Sequence, residues 1–199
     1  MDFASASPTV IKSIKQRDLL NTWLRLYASA QRLPRTQDFQ PARIEDELPD
    51  LVFMTVEQAT PPRLIIDSDG ARMSMAYGYT GRGRYLDEYL GPRLAPLVMP
   101  IYQRCLERAL PVYTVSHVDD ANGRVVAYER LLLPFSDSEG VTQVIASLKT
   151  ISEDGSFQIE NLMRGSDVLP TPIVRAVIDR ELFHRAPGRI PSADLIEFS

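Results

Sequence analysis

Residues 124–134 (RVVAYERLLLP) put apolar side chains on both sides of one extended segment, and this stretch limits the fold more than any other. Successive strand residues face opposite ways. Val125, Ala127, Glu129, Leu131 and Leu133 therefore share one face, and Val126, Tyr128, Arg130 and Leu132 the other. A strand that is apolar on both faces belongs in the middle of a sheet, covered on both sides. Glu129 and Arg130 point opposite ways, so they do not pair with each other. Each needs a partner or the sheet rim, because an unpaired interior charge is costly.

Two further strands are predicted beside it. Val112–Val118 precedes it across Asp119–Gly123, where Asn122–Gly123 favours positive φ, and Thr142–Ile151 follows the polar turn Ser136–Gly140. Upstream, Leu51–Glu57 and Arg63–Asp67 read as an antiparallel hairpin, and Asp38–Leu48 as a short helix opening near Pro41. Met73–Gly91 is broken by Gly78, Gly81 and Gly83 and suits two short helical turns. Pro92–Leu110 carries Leu94, Leu97, Val98, Ile101, Tyr102, Cys105 and Leu106 at helical spacing. Its regular helix is predicted to begin near Pro100, since proline is tolerated in a first turn.

The predicted organisation has four parts. Residues 1–10 are small and polar and read as disordered, and residues 35–151 form the core. Residues 11–34 form an amphipathic helix with Leu19, Leu20, Trp23 and Leu24 on its apolar face. Residues 152–199 form an extension with a helix near 172–184, opened by Thr171–Pro172, and an extended tail from Ala186. Two roles stay open for the helix at 11–34: cover for one side of the sheet, or homodimerisation.

At 199 residues, 44% hydrophobic and 24% charged, the chain fits one globular domain with extensions. A net charge of −4 argues against nucleic-acid binding, which needs an excess of Lys and Arg. Its basic residues are 19 Arg against 3 Lys. That bias reflects either coding preference or a site for an anionic ligand, which Arg recognises through its planar fork. The single Cys105 forms no internal disulfide, and no apolar run suits a signal peptide or membrane span, so a cytoplasmic protein is expected.

Motifs for chemistry are sparse. No nucleophile elbow, zinc-protease motif or C-x-x-C occurs, so no catalytic residue, metal site or cofactor is expected. Neither His117 nor His184 lies on the helix Pro100–Leu110, where an axial haem ligand is needed. Cys105 reads as a buried small hydrophobe, Gly81–Arg84 as turn chemistry rather than a phosphate loop, and Asp119–Asp120 as solvated. For Arg130 the alternatives are a clamp onto Asp87 or Glu88, or a ligand contact.

The blocks RDLLNTWLRLYASAQRLP (Arg17–Pro34), ARIEDELPDLVFMTVE (Ala42–Glu57), GRYLDEY (Gly83–Tyr89) and YERLLLPFS (Tyr128–Ser136) resemble a PAS-like family found mostly in alphaproteobacteria. The likeness spans roughly residues 17–151 and is most specific at YERLLLP and the Trp23 helix. It departs at Tyr79–Arg82, where the family reads more like Arg-Asp-Leu-Thr, and at DSDGAR (Asp67–Arg72), where a Gly-Thr pair is more usual. The resemblance implies an α+β fold, a five-stranded antiparallel sheet with helices on one face. It also implies a non-catalytic sensory or regulatory module of bacterial signalling. A small-molecule sensor would line a cavity with Tyr77, Tyr85, Tyr102, Val115, Tyr128 and Arg130; the alternative is a protein-interaction adaptor with a filled core. In either case the output passes through a partner protein.

Overall fold

The computed structural model describes residues 2–152, 155–164 and 169–179. Its elements in chain order are β1 (Ala4–Ala6), α1 (Ile14–Ala30), α2 (Ile44–Glu47), β2 (Leu51–Glu57) and β3 (Arg63–Asp69). They continue with α3 (Ala71–Tyr77), α4 (Leu86–Arg108), β4 (Val112–Asp119), β5 (Val125–Phe135), β6 (Gln143–Ile151) and β7 (Thr171–Ile178). The strands form one sheet in the order β1-β7-β4-β5-β6-β2-β3.

The five strands expected from the sequence are present as β2–β6, and every neighbouring pair among them is antiparallel. The sheet nevertheless has seven strands and is mixed. β7 adds antiparallel to β4, and β1 adds parallel to β7. Two expectations are corrected here. Residues 4–6 are a strand rather than disordered, and Thr171–Ile178 is a strand rather than the start of a helix. Residues 180–184 of that expected helix, and the tail from Ala186, lie outside the described residues. Ile173, Val174, Val177 and Ile178 fit a helical stripe, but all four are β-branched and favour a pleated surface. Pro172 is accommodated at an irregularity: Val115 pairs with Val174 and Ser116 with Pro172, leaving Ile173 as an extra, bulged residue.

Both faces of the sheet are covered, which the alternation in β5 requires. On one face α3 and α4 pack over Val126, Tyr128 and Leu132 of β5, Met54 of β2 and Ile66 of β3. On the other, α1 buries Leu19, Leu20, Trp23 and Leu24 against Tyr113, Leu131, Leu133, Phe135 and Ile145. The expected placing of helices on one face is thus incomplete. The α1 stripe offered for homodimerisation is spent on the chain's own core. α1 is capped by Ser13, whose hydroxyl accepts from the Gln16 amide, and it ends at Gln31 in a left-handed conformation.

α4 begins earlier than predicted. It starts at Leu86, breaks once at Gly91 (φ 71°), and then runs through Pro92, Pro96 and Pro100 to Arg108. These prolines recur every four residues and all lie on the exposed side. The carbonyls they leave unpaired therefore meet water instead of the core. The segment 38–48 is likewise not one helix. It is a tight turn at Thr36–Asp38, a single α turn at Ile44–Glu47 and a further tight turn at Leu48–Asp50. Gly70 lets the β3–α3 corner pass over that last turn, because a Cβ there would lie 2.3 Å from the Pro49 carbonyl oxygen.

Trp23 joins the two layers: it is fully buried, and its indole Nε1 donates to the Pro134 carbonyl at 2.7 Å. Trp23→Ala is expected to cost about 3–5 kcal/mol in urea unfolding. Trp23→Phe should cost less, keeping most of the packing and losing the hydrogen bond.

Candidate functional site

Four of the six residues predicted to line a site come together between the sheet and its α3–α4 cover. Tyr77 projects from α3, Tyr102 from α4, and Tyr128 and Arg130 from β5. All are buried. The Arg130 guanidinium carbon lies 5.8 Å from the Tyr102 ring centroid and 5.4 Å from that of Tyr128. The Tyr128 hydroxyl reaches the Met73 Sδ at 4.0 Å.

Tyr85 and Val115 do not join them. Val115 sits with Tyr113 on the α1 face, because one residue of offset along β4 turns a side chain to the opposite side. Tyr85 precedes α4 at the sheet edge, where its hydroxyl donates to Glu57 at 3.0 Å and Arg63 stacks 3.5 Å from its ring. Sequence reasoning missed Tyr89, which packs 4.9 Å from both Tyr77 and Tyr79. Its spacing of four from Tyr85 was the available signal.

The expected clamp from Arg130 to Asp87 or Glu88 is not formed. Arg63 takes both carboxylates instead, at 3.0 and 2.9 Å. Among the described residues none gives Arg130 a carboxylate partner, and its Nε has no hydrogen-bond acceptor. The phenols around it cannot neutralise it. Burial pushes Tyr77 and Tyr102 above their ordinary range and Tyr128 up to about 12, so all three stay protonated at neutral pH. Two desolvated ring contacts supply roughly 2 kcal/mol each. The effective penalty for burying an ion is several kcal/mol. The two are comparable only if nothing else is lost, and the guanidinium remains charged without a counter-ion among the described residues.

Two cavities in this interior are small. One of about 30 Å³ lies against Ser116, Tyr128, Arg130, Met163 and Arg175, and one of about 10 Å³ against Met73, Ala76, Tyr128 and Leu148. Drug-sized ligands occupy about 300 Å³ or more. Two open grooves are larger. One of about 720 Å³ lies beside Phe3, Tyr27, Arg104 and Arg108, and one of about 670 Å³ between α1 and residues 41–47.

The remaining singled-out residues have structural places. Cys105 is fully buried, and burial raises its thiol far above its ordinary range, so it packs as an inert apolar group. His117 is exposed on β4. In the Tyr79–Arg84 loop, Asp69 accepts from the Thr80 hydroxyl at 2.6 Å and the Gly81 amide at 3.0 Å, which is the turn chemistry expected there. Asp120 is not solvated. It is buried and accepts from the amides of Asn122, Arg124 and Gln158, which hold its carboxyl below the usual range. Among the described residues no group of His, Cys, Asp and Glu is arranged to hold a metal ion.

Beneath the opposite face runs a buried ionic network. Lys149 of β6 donates to Glu47 at 2.6 Å and to Asp50, Lys15 reaches Glu47 at 3.0 Å, and Arg72 reaches Asp50 at 2.6 Å. It ties α1, the turns before β2, α3 and the sheet together. Burial alone would raise the Glu47 carboxyl, but hydrogen bonds and charge from Lys149 and Lys15 outweigh it and hold it low. Glu129 shares this face, opposite Lys149 in register, and burial raises its carboxyl against the partial offset of Tyr113 and Lys12.

A family model described as PAS domain matches residues 11–148. No curated protein matches the chain, and no solved structure does. Among the described residues no helix is long and apolar enough to cross a membrane.

Two titrations of opposite sign follow from these carboxylates. The stabilisation from Glu47 is complete above the ordinary carboxyl value of 4.5 and is lost as pH falls through its lower folded value. Glu129 works the other way: its raised folded value makes the native state lose stability as pH rises from about 4.5. Denaturant unfolding at stepped pH should therefore show Glu129→Gln gaining on the parent as pH rises. Lys149→Ala should cost about 3–5 kcal/mol near neutral pH, with the deficit shrinking in acid.

Proposed function

The chain belongs to the PAS domain family, and from that premise we propose a regulatory module of bacterial signal transduction that acts by binding a partner protein. It works in the cytoplasm and performs no catalysis of its own. The observation that carries this reading is the filled interior: Tyr77, Tyr89, Tyr102 and Tyr128 close the space between α3, α4 and the sheet, leaving cavities of about 30 and 10 Å³. Neither of these two cavities takes a flavin or haem without unpacking this cluster. A signal that reaches such a module is transmitted through its surface. The four blocks that resemble alphaproteobacterial relatives support the bacterial setting. Self-association through the α1 stripe is left out of the reading, because those side chains already pack on the chain's own sheet.

A second reading, small-ligand sensing within the interior, has one observation in its favour: among the described residues the charge of Arg130 is buried without a carboxylate. Native mass spectrometry of the purified full chain separates the two. The partner reading predicts the bare 22.4 kDa mass and, with extract from the source cells, a saturable complex of defined stoichiometry. A stoichiometric organic molecule of several hundred daltons, released only on unfolding, would contradict it.

A further inference from the structure

We propose that the cavity beside Arg130 is a binding site for one small monovalent anion, a halide or a carboxylate group. The inference concerns the same interior but does not depend on the partner reading, and either can fail alone. Three observations converge on it.

The first is a row of side chains across the sheet. Thr114 of β4 is the register partner of Arg130 on β5 and of Arg175 on β7. Directly opposed residues share a face, so two guanidinium-bearing residues flank one hydroxyl, one strand to either side. The second is the cavity of about 30 Å³, which both arginines line together with Ser116 and Tyr128 and which, among the described residues, no carboxylate lines. One water-sized group needs about 10–15 Å³. The space therefore suits a single ion or a two-oxygen head, and excludes anything bulkier.

The third observation is the number of polar groups left waiting. Arg130 is only 4% exposed, Thr114 2% and Tyr77 1%, and the Arg130 Nε, the Thr114 Oγ1 and the Tyr77 Oη all lack hydrogen-bond partners; of the three residues, Arg130 lines the cavity itself. Buried polar groups are nearly always satisfied, and each exception calls for an explanation. A water molecule in the cavity would supply a dipole. An anion supplies the missing charge as well, and guanidinium and hydroxyl groups are the donors that recognise a carboxylate or halide.

The test is thermal unfolding of the full chain at constant ionic strength, with chloride, bromide, formate or acetate replacing gluconate, which is too large to enter. The parent should show a saturable rise in melting temperature with small anions, as ligand linkage requires. Arg130→Gln should need at least about tenfold more anion for the same rise, or show none. A response to halides alone assigns a halide site, and a response to formate and acetate assigns a carboxylate site. Equal responses in the parent and Arg130→Gln, or equal effects of gluconate and the small anions, overturn the proposal. Should the variant not fold, bromide-soaked crystals of the parent decide. An anomalous peak within hydrogen-bond distance of the Arg130 guanidinium supports the site, and bromide found only on the surface refutes it.

Discussion

The structure depends on the alternation of β5 between two cores. Six of its eleven residues, 127–132, are paired on both sides, by β4 and β6, and the strand buries side chains on both faces. Each neighbouring residue is therefore committed to a different environment. Arg130 enters the aromatic interior under α3 and α4, while Glu129, one residue earlier, enters the face under α1 beside the Lys149 network. A one-residue slip would exchange these environments and place each charge among the wrong partners. The register is held from outside the strand as well. Trp23 binds the Pro134 carbonyl, and Gln16, through its side-chain amide, donates to the Ser147 carbonyl on β6 at 3.0 Å.

The two faces solve the problem of buried charge differently. Under α1 the charges are mutual: Lys149 meets Glu47 and Asp50, and Lys15 and Arg72 complete the set at the rim. Such a network costs desolvation, but it fixes how α1, the short turns and the sheet meet. Under α3 and α4 the positive charge of Arg130 meets, among the described residues, neutral phenols and no carboxylate. That asymmetry is what separates a structural network from a candidate site. The filled aromatic interior then limits what the site can take.

Much of the fold was legible because its signals are local. β2 to β6 declared themselves through β-branched runs bounded by Asp-, Asn-, Ser- and Gly-containing turns, and the two-faced pattern of β5 placed it centrally. β1 and β7 were not legible for a physical reason. A three-residue strand such as Ala4–Ala6 has no side-chain pattern, and its order comes from main-chain pairing with β7, a partner far along the chain. β7 itself carries a stripe compatible with two periods, and only its place against β4 decides between them. The site was half legible. Tyr77, Tyr102, Tyr128 and Arg130 lay on elements whose facing could be inferred, whereas Tyr85 fell at an edge and Val115 one residue out of phase. Thr114 and Arg175 gained meaning only from the β7 register, which the sequence did not reveal.

Both cores depend on β5 as a buried central strand, and amide hydrogen exchange tests that most directly. The amides of residues 126–133 should exchange only through global unfolding, at the free energy measured by denaturant, while those of β1 exchange earlier through local opening. Exchange of the β5 amides at the rate of a surface strand, with α1 detached, would contradict the two-sided core from which the site and its charge are derived.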